Sequence, residues 1–206
     1  TVGHGLGKAP TFIIHKVLNS TGYHFVRGVP GMTSATTVRD FNPNGSPTDV
    51  SGSGGALVAP TSTTFNINNY TGIGGGGYNY VAYCWAPIEG YSKFGVYTGN
   101  GNATGPSINL GFEPQWVLIK LASGDGENWI LMDNMRGMPV GGNDTLFEAN
   151  TNGAEKSTSE ILNLTATGFD IKSTSNGINT NNQTYIYMAI RRGGMQTPTS
   201  ASDVFS

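Results

Sequence analysis

The chain has 206 residues, a net charge of -2 and a pI near 5.8, and its eleven Lys and Arg residues are scattered. This balance argues against nucleic-acid binding, and no apolar run approaches the roughly 18 residues of a membrane span, so we expect neither partner. Charged residues make up 12% of the chain, and 31 glycines with abundant Asn, Ser and Thr favour an all-β protein rich in turns.

The two chain ends and the cysteine limit the organisation further. The sequence starts TVGHGLG without an initiator methionine, so we expect a processed chain, a piece of a longer protein or the ordered part of one. Cys84 is the single cysteine, which excludes an internal disulfide. It lies in the strand pattern YVAYCW, where a buried small apolar residue is favoured over a reactive thiol.

The sequence contains two related halves. Three separated pairs of segments agree on an offset of 104 or 105 residues: GLGKAPTFIIHKV (5–17) with NLGFEPQWVLIKL (109–121), TTFNI (63–67) with TGFDI (167–171), and Tyr80-Val81 with Tyr185-Ile186. This agreement predicts an internal duplication of about 100 residues.

Each half is predicted to have the same order of elements. A Gly-x-x-Pro turn precedes a strand that is apolar on both faces, TFIIHKV or QWVLIKL, as expected of a central strand covered on both sides. A second strand follows, YHFVR or NWILMD, and then a long polar stretch, 28–60 or 137–158. The last strands are STTFNI and YVAYCW in one half and ATGFDI and TYIYMAI in the other, separated by glycine-asparagine turns. Segment 155–164 is predicted to hold one or two helical turns at best.

The two halves differ at their start. Residues 91–101, YSKFGVYTGNG, predict a strand ahead of the second Gly-x-x-Pro turn, and its counterpart in the first half would fall before residue 1. We therefore expect a larger parent polypeptide, or another segment that supplies this strand. The predicted units are residues 1–88 and 89–192, and the tail 193–206 is predicted to be a linker or docking segment.

No cofactor or metal site is predicted. The glycine-rich stretches GHGLGKAP and GIGGGGY lack the spacing and the following helix of a phosphate-binding loop. His4, His15 and His24 lack zinc-site spacing, and we expect His15 and His24 to be hydrogen-bonded structural residues within strands. The stretch DGEN (125–128) lacks the acidic series of a calcium loop, although a weak structural calcium stays open as a minor alternative.

Catalysis is not expected. Glycan hydrolysis requires two carboxylates roughly 5–10 Å apart, and no sequence rule pairs Glu113, Glu127 and Asp133. No Ser-His-Asp order or nucleophile-elbow motif occurs either. A polysaccharide depolymerase is therefore the least favoured alternative.

The aromatic residues are predicted to serve mainly in packing. Trp85, Trp116 and Trp129 lie in strand patterns and are expected in the core. Tyr70 and Tyr78 flank the glycine-rich turn, where they could stack on a sugar ring. A role in covering the rim of a β-sandwich is the favoured interpretation, and glycan contact is the alternative.

Several segments together resemble a known group of repeated domains. They are GLGKAPTFIIHK, NLGFEPQWVLIK, NWILMDNMRG, ATGFDI, YVAYCWAPIEGYSKFGVYTGNG and TYIYMAIRRGGM. Together they resemble domains in large virion proteins of tailed bacteriophages, particularly marine and cyanobacterial ones, over nearly all of residues 3–205. The resemblance implies two tandem β-sandwich units of jelly-roll, concanavalin-like type, with no established catalytic residues. The first half departs from the pattern, since YHFVRG replaces the strand of Trp129 and Asp133.

The resemblance implies a non-enzymatic structural or adhesion module of a phage particle, in a tail fibre or a capsid-decorating protein. Its partners would be other virion proteins and further copies of itself, a trimer if it belongs to a fibre, and its location the virion surface. The alternative is a lectin-like module that recognises host surface glycans through Tyr70 and Tyr78.

Overall fold

The computed structural model describes residues 1–20, 24–27, 37–40, 47–49, 57–70, 72–123 and 126–191. Over these ranges the protein is all-β, with several stacked sheets and one four-residue helix, as expected for the β-sandwich class. In chain order the strands are β1 (Val2–Gly3), β2 (Phe12–Val17), β3 (His24–Arg27), β4 (Thr37–Asp40), β5 (Pro47–Asp49), β6 (Thr64–Phe65), β7 (Tyr80–Trp85), β8 (Ser92–Thr98), β9 (Ser107–Asn109), β10 (Trp116–Leu121), β11 (Ile130–Asp133), β12 (Asp144–Glu148), β13 (Lys156–Ser159), β14 (Leu162–Thr165), β15 (Gly168–Ile171) and β16 (Thr184–Ile190), and helix α1 is Asn176–Asn179.

The described strands form four antiparallel sheets. The first half contributes a five-stranded sheet, in the order β5-β4-β3-β2-β7, and the pair β1-β6. The second half contributes a six-stranded sheet, β13-β12-β11-β10-β16-β8, and a three-stranded sheet, β14-β15-β9. Strands β2 and β10 therefore hold corresponding central positions, each between two neighbours.

The two large sheets pack on each other. Phe12 of β2 lies with its ring centroid 5.9 Å from that of Phe94 and 6.3 Å from that of Trp129. These rings belong to a buried cluster that also contains Val26, Leu118 and Met188, so it draws on both halves. This shared core joins the five-stranded sheet to the six-stranded sheet.

Each large sheet is also covered on its other face. The six-stranded sheet packs through Val117, Ile119 and Tyr187 on the three-stranded sheet, where Phe169 is fully buried. On the five-stranded sheet, His15 lies under Phe65 of β6. The central strands β2 and β10 thus bury side chains on both faces, which confirms the prediction made from their continuous apolar runs.

Backbone hydrogen bonds recur between the halves. Four bonds of the first half have counterparts in the second at offsets of 104 to 106 residues. Written from amide to carbonyl, the first-half bonds are Thr11 to Trp85, Leu18 to Asn79, His4 to Thr63 and Ile73 to Tyr70. Their counterparts, in the same order, are Gln115 to Ile190, Ala122 to Thr184, Leu110 to Thr167 and Ile178 to Ser175. The strand registers follow the same offsets, because Ile14 pairs with Tyr83 and Leu118 pairs with Met188.

The polar stretches contain more strand than the sequence analysis predicts. Segment 155–164 holds no helical turn but parts of β13 and β14, and the helix α1 occupies a predicted glycine-asparagine turn. The buried carboxylate of Asp144 explains the break between β13 and β14, since its Oδ2 accepts the amides of Ile161 and Leu162 at 2.7 and 2.8 Å. The tail 193–206 and Asp125 lie outside the described residues.

Candidate interaction surface

Strand β7 is an edge strand in the sheet of the first half. It pairs with β2 along residues Phe12–Val17, and no described strand lies on its other side. The corresponding strand of the second half, β16, lies between β10 and β8 and pairs with β8 over its full length. The described part of the first half thus lacks a strand in the position that β8 holds in the second, in line with the duplicated sequence.

The outward-facing backbone groups of β7 can be identified from its register. The amide of Leu18 donates to the carbonyl of Asn79 at 2.8 Å, and in an antiparallel ladder such bonded pairs alternate with non-bonded ones. Tyr83 therefore turns its N–H and C=O towards β2, whereas Ala82 and Cys84 turn theirs towards the open side. The backbone of Ala82 and Cys84 forms the centre of this edge.

In strand β16, the residues that correspond to Ala82 and Cys84 turn their N–H and C=O groups towards β8. The amide of Gly99 donates to the carbonyl of Gln183 at 2.8 Å, and that of Arg191 donates to the carbonyl of Tyr91 at 2.7 Å. The hydrogen-bonded pairs between these points include Tyr187 with Gly95 and Ala189 with Lys93. At an offset of 105, Tyr187 corresponds to Ala82 and Ala189 to Cys84.

The side chains of β7 and β16 differ in exposure. Tyr83 of β7 is 52% exposed, whereas Met188, its counterpart in β16, is 4% exposed. The ring of Tyr83 stacks on that of Trp85 with centroids 6.2 Å apart, and Trp85 is only partly buried. Cys84 is half-buried, which corrects the sequence-based expectation of a buried residue, whereas its counterpart Ala189, which pairs with β8, is fully buried.

Three polar residues lie together on the inner face of the five-stranded sheet. They are Arg27, Cys84 and His15. Arg27 and Cys84 pair with Ile13 from its two sides and share its face of the sheet, the face that meets Phe65, and His15 lies two residues further along β2 on the same face. The second half has Met132, Ala189 and Ile119 at these positions. The alignment of the two halves contains this signal, because Arg27, Cys84 and His15 lie opposite apolar residues of the second half.

Arg27 is held under the strand pair β1-β6. Its Nη2 donates to the carbonyl of Asn66 at 2.5 Å, and its guanidinium carbon lies 5.5 Å from the ring centroid of Phe65. Burial lowers the pKa of Arg27 to about 10 and raises the pKa of the Cys84 thiol, whose rise is opposed by the charge of Arg27. The thiol is therefore protonated at neutral pH, which fits a packing role.

His15 lies in strand β2 as predicted, but its Nε2 has no hydrogen-bond partner among the described residues, contrary to the expectation of a hydrogen-bonded histidine. Its ring is 1% exposed and meets the edge of the Phe65 ring, with centroids 5.6 Å apart. Burial, followed by the charge of Arg27, lowers the pKa of His15 to about 3, so the ring stays neutral in the folded protein.

The two tyrosines for which glycan contact was the alternative interpretation differ in environment. Tyr70 packs on Phe25 with ring centroids 5.3 Å apart, beside a small cluster that includes Leu57 and Ile73. Tyr78 is 40% exposed, and its ring centroid lies 6.5 Å from that of Tyr80. Tyr70 thus packs against this small cluster, and Tyr78 presents a ring at the surface.

The tryptophans lie in the core as predicted. Trp129 is 1% exposed, and Trp85 and Trp116 are partly buried against the cluster shared by the two halves.

The candidate carboxylates occupy separate settings. Asp133 accepts the amides of Met135 and Arg136 and bonds the Arg136 guanidinium at 2.9 Å, which makes it the organiser of a turn. Glu127 lies beside Gly177, and Lys120 donates to its backbone carbonyl. Glu113 lines an open cavity of about 410 Å³ whose other described lining residues include Asn134 and Arg191. Among the described residues of this lining, neither Glu127 nor Asp133 occurs.

The remaining candidates have structural surroundings. His4 lies with Nε2 3.1 Å from the carbonyl oxygen of Thr61, and its Nδ1 accepts the amide of Leu6. His24 lies in β3, and its side chain is outside the described part of the structure. Within the described ranges, no cluster of three or more His, Cys, Asp or Glu side chains could hold a metal ion. No helix in those ranges has the length and apolar character to cross a membrane.

Comparison with known protein families gives a match over most of the chain. No curated protein and no solved structure matches the chain. A family model described as a domain of unknown function, DUF7483, matches residues 1–192 and so covers both halves together with the open edge at β7. The chain therefore belongs to the DUF7483 family.

Proposed function

We propose that this chain is a non-enzymatic structural or adhesion module of a bacteriophage particle, part of a tail fibre or a capsid-decorating protein. In this proposal it consists of two related β-sandwich units of jelly-roll type and acts through contacts with other virion proteins. The recurring hydrogen bonds and registers of the two halves support the two-unit organisation. The placement in a phage particle is supported by the sequence motifs that resemble virion domains.

The observation that carries a role in protein contact is the open edge of β7. A sheet edge presents unpaired N–H and C=O groups that favour pairing with another chain, and soluble proteins usually cover or charge such edges. Here the edge sequence YVAYCW has no charged residue, and Tyr83 is largely exposed on it. An edge of this composition is suited to an assembly in which a neighbour covers it.

The proposal is tested by measuring the chain in purified particles. Phage particles whose genome encodes this sequence are purified on a density gradient and digested. The digest is analysed by mass spectrometry with isotope-labelled standard peptides of this sequence. We expect a fixed copy number per particle, close to a multiple of the symmetry of the capsid or the tail. Absence of the chain from infectious particles that carry its gene would overturn the proposal.

A second candidate function is favoured by the exposed ring of Tyr78. An aromatic ring that is exposed beside another ring can stack on a sugar, so the lectin-like alternative has a surface available. A glycan array with the host surface polysaccharides, at millimolar sugar and with calcium, tests this function. Binding that is lost in Tyr78→Ala and retained in Tyr91→Ala would support it, since Tyr91 is equally exposed elsewhere.

A further inference from the structure

We infer that the open edge of β7 is the acceptor for one extended strand of the β8 type, supplied by a polypeptide segment that is not among the described residues of this chain. This inference rests on the proposed role in protein contact and makes it specific. The donor would run antiparallel to β7, as β8 runs antiparallel to β16, and would extend the five-stranded sheet to six strands. The evidence is the second half itself, in which the corresponding edge is filled.

The backbone N–H and C=O groups that β7 turns to its open side belong to the residues that such a donor requires. In the second half, Gly95 and Lys93 of β8 form hydrogen-bonded pairs with Tyr187 and Ala189. Their counterparts Ala82 and Cys84 turn their N–H and C=O groups to the open side of β7. A donor residue in the Gly95 position would therefore pair with Ala82, and one in the Lys93 position would pair with Cys84.

The side chains of β7 predict how the donor differs from β8. A Cβ atom on Gly95 would lie 2.7 Å from the hydroxyl oxygen of Tyr187, so the Tyr187 side chain fills the space beside Gly95. The acceptor has Ala82 in place of Tyr187, which leaves room for a larger residue in the donor. We therefore expect a β-branched residue such as valine at this position, because it also favours the strand conformation.

The opposite face of the donor is predicted to be apolar. Phe94 of β8 is 7% exposed and lies opposite Met188, within the core shared by the two large sheets. The counterpart of Met188 is Tyr83, which is exposed on β7. A phenylalanine of the donor in the Phe94 position would cover the Tyr83 ring as a close cross-strand pair.

A synthetic peptide with the sequence of residues 90–99 and the substitution Gly95→Val is the probe. Its binding to the intact chain is measured by fluorescence anisotropy. Methylation of the peptide amide at position 95, which faces the acceptor, should weaken binding at least tenfold. Methylation at position 94, whose N–H points away, should change it less than threefold. Equal effects of the two methyl groups, or no binding at millimolar protein, would overturn the inference.

The acceptor side is tested with Ala82→Pro. Proline at this position removes an N–H that faces away from β2, so the ladder with β2 is kept while the edge is blocked. We expect at least a tenfold loss of peptide affinity at an unchanged circular dichroism spectrum. Val81→Pro, which removes an N–H directed at β2, is the control that should destabilise the fold. Full peptide affinity in a folded Ala82→Pro chain would contradict the inference.

The single cysteine allows a register test that needs no change in the protein. A peptide with Lys93→Cys carries thionitrobenzoate in a mixed disulfide. At alkaline pH, where part of the Cys84 thiol is ionised, the Cys84 thiolate attacks the peptide cysteine sulfur and releases thionitrobenzoate. Directly opposed strand residues lie within disulfide reach, so this peptide should give the adduct at least tenfold faster than peptides with Ser92→Cys or Phe94→Cys. Equal rates for the three peptides would reject the predicted register.

Sedimentation of the chain alone distinguishes a β7 edge that awaits a donor strand from a β7 edge that pairs with β7 of a second copy. A monomer supports the inference, and a dimer that Ala82→Pro dissociates would replace it with pairing between two copies of β7. The peptide results are independent of the particle analysis. Failure of the peptide to bind, with the chain present in particles, would reject the strand donor and leave the proposed function intact.

Discussion

His15 and Ile119 hold the same position in two corresponding strands of one chain. His15 pairs with Phe25 and Ala82 at the centre of the five-stranded sheet, and Ile119 pairs with Ile130 and Tyr187 at the centre of the six-stranded sheet. Both are almost fully buried. The same fold position thus holds an imidazole in one half and an aliphatic side chain in the other. Isoleucine is therefore a suitable replacement for His15, because the corresponding position of the second half already buries it.

The first prediction is that His15 makes the stability depend on pH. The buried ring has its pKa lowered from 6.5 to about 3, whereas the ring of the unfolded chain protonates below about 6.5. The unfolded state therefore binds more protons at acid pH, and the stabilising contribution of neutral His15, complete above 6.5, is lost as the pH falls towards 3. Between pH 7 and 4.5, His15→Ile should lose about 2 to 3 kcal/mol less unfolding free energy than the wild type.

This difference is measured by urea unfolding of both proteins at several pH values. The control is Ile119→Val in the second half, which exchanges one aliphatic side chain for another. It should lower the unfolding free energy by about 1 kcal/mol at every pH. Parallel pH profiles for wild type and His15→Ile would show that the buried imidazole is not responsible.

The second prediction concerns two corresponding lysines. Lys120 is completely buried, and its Nζ donates to the backbone carbonyl of Glu127 at 2.6 Å, whereas Lys16 is only half-buried. Loss of a buried charged donor leaves an acceptor without it and removes packing of the aliphatic stem. Lys120→Ala should cost about 3 kcal/mol of unfolding free energy, and Lys16→Ala about 1 kcal/mol. Equal costs in denaturant unfolding would contradict the role of burial.

The third prediction is that the halves unfold together. Phe12 of the first half contacts Phe94 and Trp129 of the second, so the large sheets share one core. Phe12→Ala should cost about 3 to 4 kcal/mol and shift a single transition seen both by tryptophan fluorescence and by circular dichroism. Two separate transitions, with only one of them moved by the substitution, would show that the halves unfold independently.

The sequence predicts best where burial follows from a local pattern. The runs FIIHKV and WVLIKL are apolar on both faces, and their strands lie between two layers. Strands β12 and β13 are not predicted by such a pattern, because their segment is polar. Their geometry also depends on Asp144, a buried carboxylate that binds two amides across the break before β14. Such a contact between residues far apart in sequence has no local signature.

The candidate surface was only partly predictable for a related reason. The lack of a β8 counterpart in the described part of the first half follows from aligning the two halves. The half-exposed state of Cys84 does not follow, because the burial of an edge residue depends on a neighbour outside its own sequence pattern. The lowered pKa of His15 likewise depends on its burial under Phe65 and, to a smaller extent, on the charge of Arg27 in the adjacent strand, and neither has a local sequence signature.

The last prediction concerns the close approach of β15 to β9. Gly168 pairs with Asn109, and a Cβ atom at Gly168 would overlap the carbonyl oxygen of Ile108, which is backbone and cannot rotate away. Gly168→Ala should therefore separate the two strands and cost about 2 to 3 kcal/mol, visible as a lower Tm.

Gly76 is the matched control, because a Cβ atom there would meet no other atom within 4 Å. Gly76→Ala should leave the Tm unchanged or raise it slightly, since alanine lowers the entropy of the unfolded chain. The separation of β15 from β9 would also loosen the cover over Phe169, so Gly168→Ala should speed hydrogen exchange at the neighbouring amides of β15. Unchanged exchange and Tm in Gly168→Ala would mean that the small sheet adapts without loss, and the tight contact between β9 and β15 would then have no role in holding this layer on the core.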